Sequence, residues 1–143
     1  MRSDRYQEYF TAENLMGPNS LRLLDELLTN CPLQFTRENR VLDLGCGTGL
    51  TSLFLARETG ATVYANDLWI SEAANRERFA AWNMQHRLIP VCEDANALHF
   101  QPEMFDAIVS IDSYHYFGGR EGFFSEKILP YLKQGGIALI GIP

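Results

Sequence analysis

Apolar positions along the chain fall into two rhythms. Short, nearly continuous apolar runs at Val41–Leu44, Ala61–Ala65, Leu88–Cys92, Met104–Ile111 and Ile137–Ile142 have the length and composition of buried strands. Between them the spacing turns helical. Leu21, Leu24 and Leu28 form one stripe with Leu23 and Leu27 beside it, and Leu50, Leu53 and Phe54 form another. A third helix opens on Ser71, runs to about Asn83 and is expected to bury Ala74, Phe79 and Trp82. A fourth is expected over Glu121–Leu132, with Pro130 late in it. Punctuation agrees: Pro18 beside Asn19 opens the first helix and Pro32 ends it, Gly60 sits at a helix stop, and Gly135-Gly136 leads into the last strand. Residues 1–17 are polar with interleaved Tyr6, Tyr9 and Phe10, which suits a short helix or a flap. Pro90 removes a ladder donor, so the third strand belongs at a sheet edge.

The organising stretch is Val41–Ala56, VLDLGCGTGLTSLFLA, a strand, a glycine-rich turn and a helix start. Gly45, Gly47 and Gly49 allow a tight turn and close backbone approach to a ligand, and the amides at the helix start are expected to face it. Their register separates two ligand classes. A dinucleotide fingerprint, G-x-G-x-x-G, needs a third glycine where this chain has Leu50. Asp43, two residues before the first glycine, adds a negative charge where a pyrophosphate gains nothing and a cation gains. Asp67 follows Gly45 by 22 positions at the end of the second strand, where a carboxylate can accept from ribose hydroxyls. A turn or helix-capping aspartate is the plainer alternative.

Composition narrows the class. With 143 residues the chain suits one domain with a real core. Twelve Lys and Arg against 18 Asp and Glu give a net charge of −6 with no basic block, so neither nucleic acid nor an anionic membrane is an expected partner. Cys31, Cys46 and Cys92 lack metal or disulfide spacing and read as reduced, structural thiols in a cytoplasmic protein. No metal site is expected. The N-terminus does not read as a signal peptide, and no apolar run approaches the roughly 20 residues of a membrane span.

From about residue 40 onward the sequence resembles the class I S-adenosylmethionine-dependent methyltransferases: VLDLGCGTG is similar to their motif I, and LKQGGIALIGIP to their strand-five motif. The resemblance implies a Rossmann-like α/β fold, with parallel strands in order 3-2-1-4-5 and helices on both faces. It implies an N-terminal helical cap over residues 1–35 and a cofactor-binding core over 36–143. S-adenosyl-L-methionine is the implied cofactor. Gly45, Cys46, Gly47 and Gly49 pack on its methionine part, Asp43 reaches its ammonium group, Asp67 takes the ribose, Asp94 with Ala95 reads adenine, and Leu68 is a further cofactor-binding position. Asp112 stands beside the transferable methyl group.

The resemblance also implies a small-molecule methyl acceptor, since the Asn/Asp-Pro-Pro-Tyr/Phe sequence of amino-group and amide methylating branches is absent after the fourth strand, as is the Pro-Cys of cytosine-C5 enzymes. His115 is the candidate general base because its ordinary pKa suits neutral pH, with Tyr116 and Asp112 as alternatives and a structural role for the histidine as the other reading. Tyr114 and Phe117 are left to the core. Tyr6, Tyr9 and Phe10 are either a substrate lid or anchors of the first segment to the core. The family continues with two more strands, so a sheet ending at strand five has an uncovered edge. Either this is a fragment of a longer protein, or a homodimer completes the sheet. Two rival functions stay open: an NAD(P)-type oxidoreductase on the same architecture, and a cofactor-binding or interaction module without turnover.

Overall fold

The computed structural model describes residues 1–11 and 19–142. The expected proline start of the first helix, Pro18, and residues 12–17 of the N-terminal segment lie outside the described residues. Five parallel strands form one sheet: β1 (Arg40–Leu44), β2 (Thr62–Asn66), β3 (Leu88–Val91), β4 (Phe105–Ile111) and β5 (Leu132–Gly141), in the order β3-β2-β1-β4-β5. This is the expected order, and it puts β3 at an edge, where Pro90 pairs with Ala65. β5 forms the other edge and, among the described residues, pairs only with β4.

Alternation along the strands builds two cores. On one face Val41, Val63, Ala65 and Val109 meet the helices α1 (Ser20–Thr29), α2 (Leu50–Thr59) and α3 (Glu72–Ala81) through Leu21, Leu24, Phe54 and Phe79. On the other face Leu42, Leu44, Phe105 and Ile108 are covered by Leu98, Phe123 and Ile128, from the loop after β3 and the turns before β5. Tyr6, Leu21 and Leu24 share one cluster with Val41 and Phe54, so the first segment is a layer of the same core. α1 starts on Asn19, whose side chain accepts from the Arg22 amide; α3 starts on Ser71, which accepts from Ala74; and α2 stops at Gly60 in the left-handed conformation.

Three local expectations are corrected. The segment expected as a helix over Glu121–Leu132 is one π turn at Phe124–Ile128 followed by a 3-10 turn at Leu129–Tyr131. Gly122, with φ +78, and Pro130 interrupt the α pattern at both ends. β5 begins at Leu132 instead of Ile137, and the glycine pair lies inside it: Gly135 takes φ +78 as the register to β4 shifts between Phe105 and Ala107. Finally, Ala74 is exposed and the buried position on α3 belongs to its neighbour Asn75. A polar residue takes that place because it has a partner in the glycine turn.

Candidate functional site

A cavity of about 380 Å³ opens at the carboxyl ends of β1, β2 and β4, the crevice where open α/β sheets take ligands. The glycine turn forms its floor. Gly45, Gly47 and Gly49 take φ of +83, +57 and +92. The third glycine is required by packing and not by a ligand, since a Cβ at Gly49 stands 2.4 Å from the Phe79 ring of α3, and Gly49 does not line the cavity. A Cβ at Gly45 stands 2.4 Å from Ser113 Cβ, so the first glycine lets the turn lie against the loop after β4.

Amides of the turn are spent inside the protein. Gly45 and Cys46 both donate to the Asn66 carbonyl at 2.8 and 2.9 Å, and Gly49 donates to the Cys46 carbonyl at 3.0 Å. Gly47 donates to Asp67 Oδ2 at 2.8 Å. The expectation of ligand-facing amides therefore does not extend to these positions of the turn, and a pyrophosphate would find none of the four available. Asn75, buried on α3, donates from Nδ2 to the Gly47 carbonyl at 3.0 Å, while its Oδ1 accepts from Arg78. Asn66 clamps the other side, donating to the Glu93 carbonyl at 3.0 Å and accepting from the Glu93 amide at 2.9 Å. Neither asparagine was expected at the site from the sequence; the only signal was a polar residue at a position whose periodicity calls for an apolar one.

The predicted residues are distributed unevenly. Gly45, Cys46, Gly47, Asp67, Leu68, Asp94, Ala95 and Asp112 all reach the cavity. Asp67 accepts from Gly47 with one oxygen and from the amides of Trp69 and Ile70 with the other, at 2.8 and 3.2 Å, so it joins β2 to the glycine turn as well as facing the cavity. Asp94 is exposed, and its carboxyl sits below the usual range because the Asn96 amide and then the Asn96 side chain donate to it. Asp112 stands at φ +56, a left-handed conformation uncommon for a residue with a side chain, and its Oδ2 accepts from the Ser20 hydroxyl at 2.8 Å. Burial pushes the Cys46 thiol up, which keeps it protonated.

Asp43 is not part of the wall. It is 1 % exposed, and Oδ2 accepts from Thr51 and Ser52 hydroxyls at 2.6 and 2.7 Å, in the first turn of α2. Its Oδ1 is buried with no partner among the described residues. Burial is the largest influence on this carboxyl and raises its pKa to about 6 against those two hydrogen bonds, with the nearby Asp67 charge adding to the rise. The carboxylate expected to meet a ligand's ammonium is instead turned into the helix start by the hydroxyls next to it.

His115 is exposed, stacks on Tyr116 at 4.2 Å and does not line the cavity; Tyr116 does. Of the three candidate lid residues only Phe10 reaches the wall. Tyr6 is buried, donates to Glu58 at 2.7 Å and packs edge-on against Phe54 at 5.2 Å. Tyr9 sits against Trp82 and beneath the Arg57 guanidinium. Both are anchors.

The chemistry of the wall is one-sided. Asp67, Glu93, Asp94 and Asp112 line it, and no lysine, arginine or histidine does among the described residues. Such a wall suits a ligand that carries positive charge and donates through hydroxyl and amino groups, and it repels phosphate. Among the described residues no group of His, Cys, Asp and Glu is placed to hold a metal ion, and no helix is long and apolar enough to cross a membrane.

Comparison with known proteins identifies the family and agrees with the fold. The family described as "Methyltransferase domain" matches residues 41–136. The chain is 33% identical over 101 residues to a sterol 24-C-methyltransferase of Candida albicans, covering 68% of this chain and 26% of that protein. Among solved structures, phosphoethanolamine N-methyltransferase 2 of Haemonchus contortus, in complex with phosphomonomethylethanolamine and S-adenosylhomocysteine, superposes with a TM-score of 0.74 at 29% identity, over 96% of this chain and 32% of that one. The cyclase SpnF superposes with a TM-score of 0.72 at 28% identity, over 83% and 43%. This chain thus spans about a quarter to under a half of the length of these proteins.

Proposed function

This chain belongs to the methyltransferase-domain family of class I enzymes whose cofactor is S-adenosylmethionine, and from that premise we propose that its cavity seats the cofactor and presents it to a small-molecule methyl acceptor. The observation that carries the reading is the all-acid wall of Asp67, Glu93, Asp94 and Asp112 above a turn whose amides are already bonded. The donor set fits the group. S-adenosylmethionine carries a sulfonium and an ammonium, and its ribose and adenine offer hydroxyl and amino donors to carboxylates.

In this reading Asp67 accepts from the ribose hydroxyls with the lone pairs its three backbone partners leave free. Leu68 lies against the adenine, and Asp94 with the Ala95 amide reads its edge. Gly45, Cys46 and Gly47 form the floor under the amino-acid part. When bound, the cofactor supplies an electrophilic methyl group on a sulfonium that is already a good leaving group. The protein's task is then to hold an acceptor atom in line with that methyl at contact distance, an entropic contribution. Asp112, at the end of β4, is the cavity carboxylate best placed on the chain to steady the acceptor or take its proton, and Tyr116 adds a second polar group on the same loop. His115 has no part in this reading, because it stands outside the wall.

Calorimetric titration with S-adenosylhomocysteine, NAD and ATP tests the assignment: S-adenosylhomocysteine is expected to bind tightest, and preferential binding of NAD would replace it with the oxidoreductase reading. A methyl-transfer assay against a panel of small acceptors then separates an enzyme from a binding module. The cyclase neighbour is why that second assay is needed, since one fold supports different chemistries.

A further inference from the structure

The cavity mouth carries two aromatic rings that the cofactor reading does not use. Trp69, just past β2, is 70 % exposed, and Tyr116, in the loop after β4, is 65 % exposed. Exposed apolar side chains are ordinary when scattered, and these two gain meaning by being paired at the mouth of a cavity. They come from strands separated by β1 in the sheet, yet they meet over the crevice with ring centres 5.5 Å apart and planes at 73°. Near-perpendicular rings form an open corner, and both line the same cavity as Asp112 and Asp67, which no lysine, arginine or histidine lines among the described residues; His115 lies against Tyr116 from outside that wall. Aromatic faces attract cations through their quadrupoles, and a corner of two faces next to carboxylates is the arrangement that holds alkylammonium groups. An anionic acceptor loses in the field of the acids, and a neutral one lacks the charge attraction that draws a cation to them.

Resting on the reading of the cavity as a methyltransferase site, we propose that the acceptor is an aliphatic amine, whose ammonium form is captured in the Trp69–Tyr116 corner beside Asp112. Before transfer the ammonium loses a proton to Asp112 or to water, which frees the nitrogen lone pair. That pair forms the new N–C bond as the C–S bond breaks with its electrons left on sulfur, and the positive charge passes from sulfur to nitrogen. The product is a more alkylated ammonium, a cation that the same corner also attracts.

The test uses choline as a non-reactive cation probe and 3,3-dimethylbutanol as its uncharged isostere, titrated into the full chain saturated with S-adenosylhomocysteine. Choline is expected to bind and the isostere not to. Trp69→Ala and Tyr116→Ala are each expected to weaken choline by about tenfold, the scale of one partly desolvated cation–aromatic contact, with Trp69→Phe restoring part of the loss. S-adenosylhomocysteine affinity should stay within about threefold of the parent in all three variants, because the cofactor's partners lie elsewhere in the wall. Both rings are exposed, so these variants are expected to fold. Equal binding of the isostere, or choline binding indifferent to the aromatic variants, overturns the proposal. A parallel loss of S-adenosylhomocysteine affinity also overturns it, by placing the rings in the cofactor site. If S-adenosylhomocysteine itself fails to bind the parent chain, the underlying functional reading fails instead.

Discussion

Asp43, inside β1, and Asp67, just past β2, lie near the carboxyl ends of neighbouring strands, and their surroundings differ. Asp67 sets both side-chain oxygens among backbone amides at the cavity surface. Asp67→Asn removes the charge, and with it the strength of the ribose contact, so S-adenosylhomocysteine should bind about 1 to 3 kcal/mol more weakly by calorimetry. Asp43 is buried, and its pKa rises to about 6 from an ordinary 3.8. Between those two values the folded chain holds a proton that the unfolded chain has lost, so stability falls as pH rises through the window. The group therefore costs the fold on the order of 3 kcal/mol above pH 6, the reverse of a salt-bridged aspartate. Thermal denaturation of Asp43→Asn against the parent should show their difference shifting in favour of the variant from pH 4 to pH 6, then levelling. A difference independent of pH would mean that this carboxyl does not titrate in that range. The sequence marks both positions as acids near a ligand loop. It does not reveal that Thr51 and Ser52 draw one of them inward.

At the level of elements, the glycine turn is a junction tied to three neighbours: to β2 through Asn66 and Asp67, to α3 through Asn75 and Phe79, and to the β4 loop through Ser113, whose hydroxyl donates to the Gly45 carbonyl at 2.9 Å. Gly49→Ala both strains a backbone at φ +92 and drives a methyl into the buried Phe79 ring. It should cost about 2 to 4 kcal/mol in urea unfolding. Gly119→Ala, where a Cβ meets nothing within 4 Å, should stay within about 0.5 kcal/mol and serves as the control. Regular elements were legible in the sequence wherever period and caps agreed, as at Asn19, Ser71 and Gly60. The segment at 121–132 departs from the expected helix because its backbone is governed by Gly122 and Pro130 and by packing of Phe123 and Ile128 under the sheet.

Over the whole molecule, a net charge of −6 and an all-acid cavity wall act in one direction. A cationic ligand is drawn in, and salt screens the attraction. The affinity of S-adenosylmethionine, with its sulfonium charge, should fall with added sodium chloride more steeply than that of S-adenosylhomocysteine, whose sulfur is neutral. Equal salt slopes for the two would show that the wall's field does not reach the sulfur. The sequence by itself determined the alternation of strands and helices, the edge position of the proline strand and the glycine register that disfavours a dinucleotide, because these follow from backbone stereochemistry and local spacing. Only the tertiary structure decided which side chains the crevice owns. Phe10 enters it while Tyr6 and Tyr9 anchor, Tyr116 enters it while His115 does not, and Trp69 meets Tyr116 across β1. Each of those outcomes depends on partners distant along the chain, whose positions are set only when the strands pair and the two cores close.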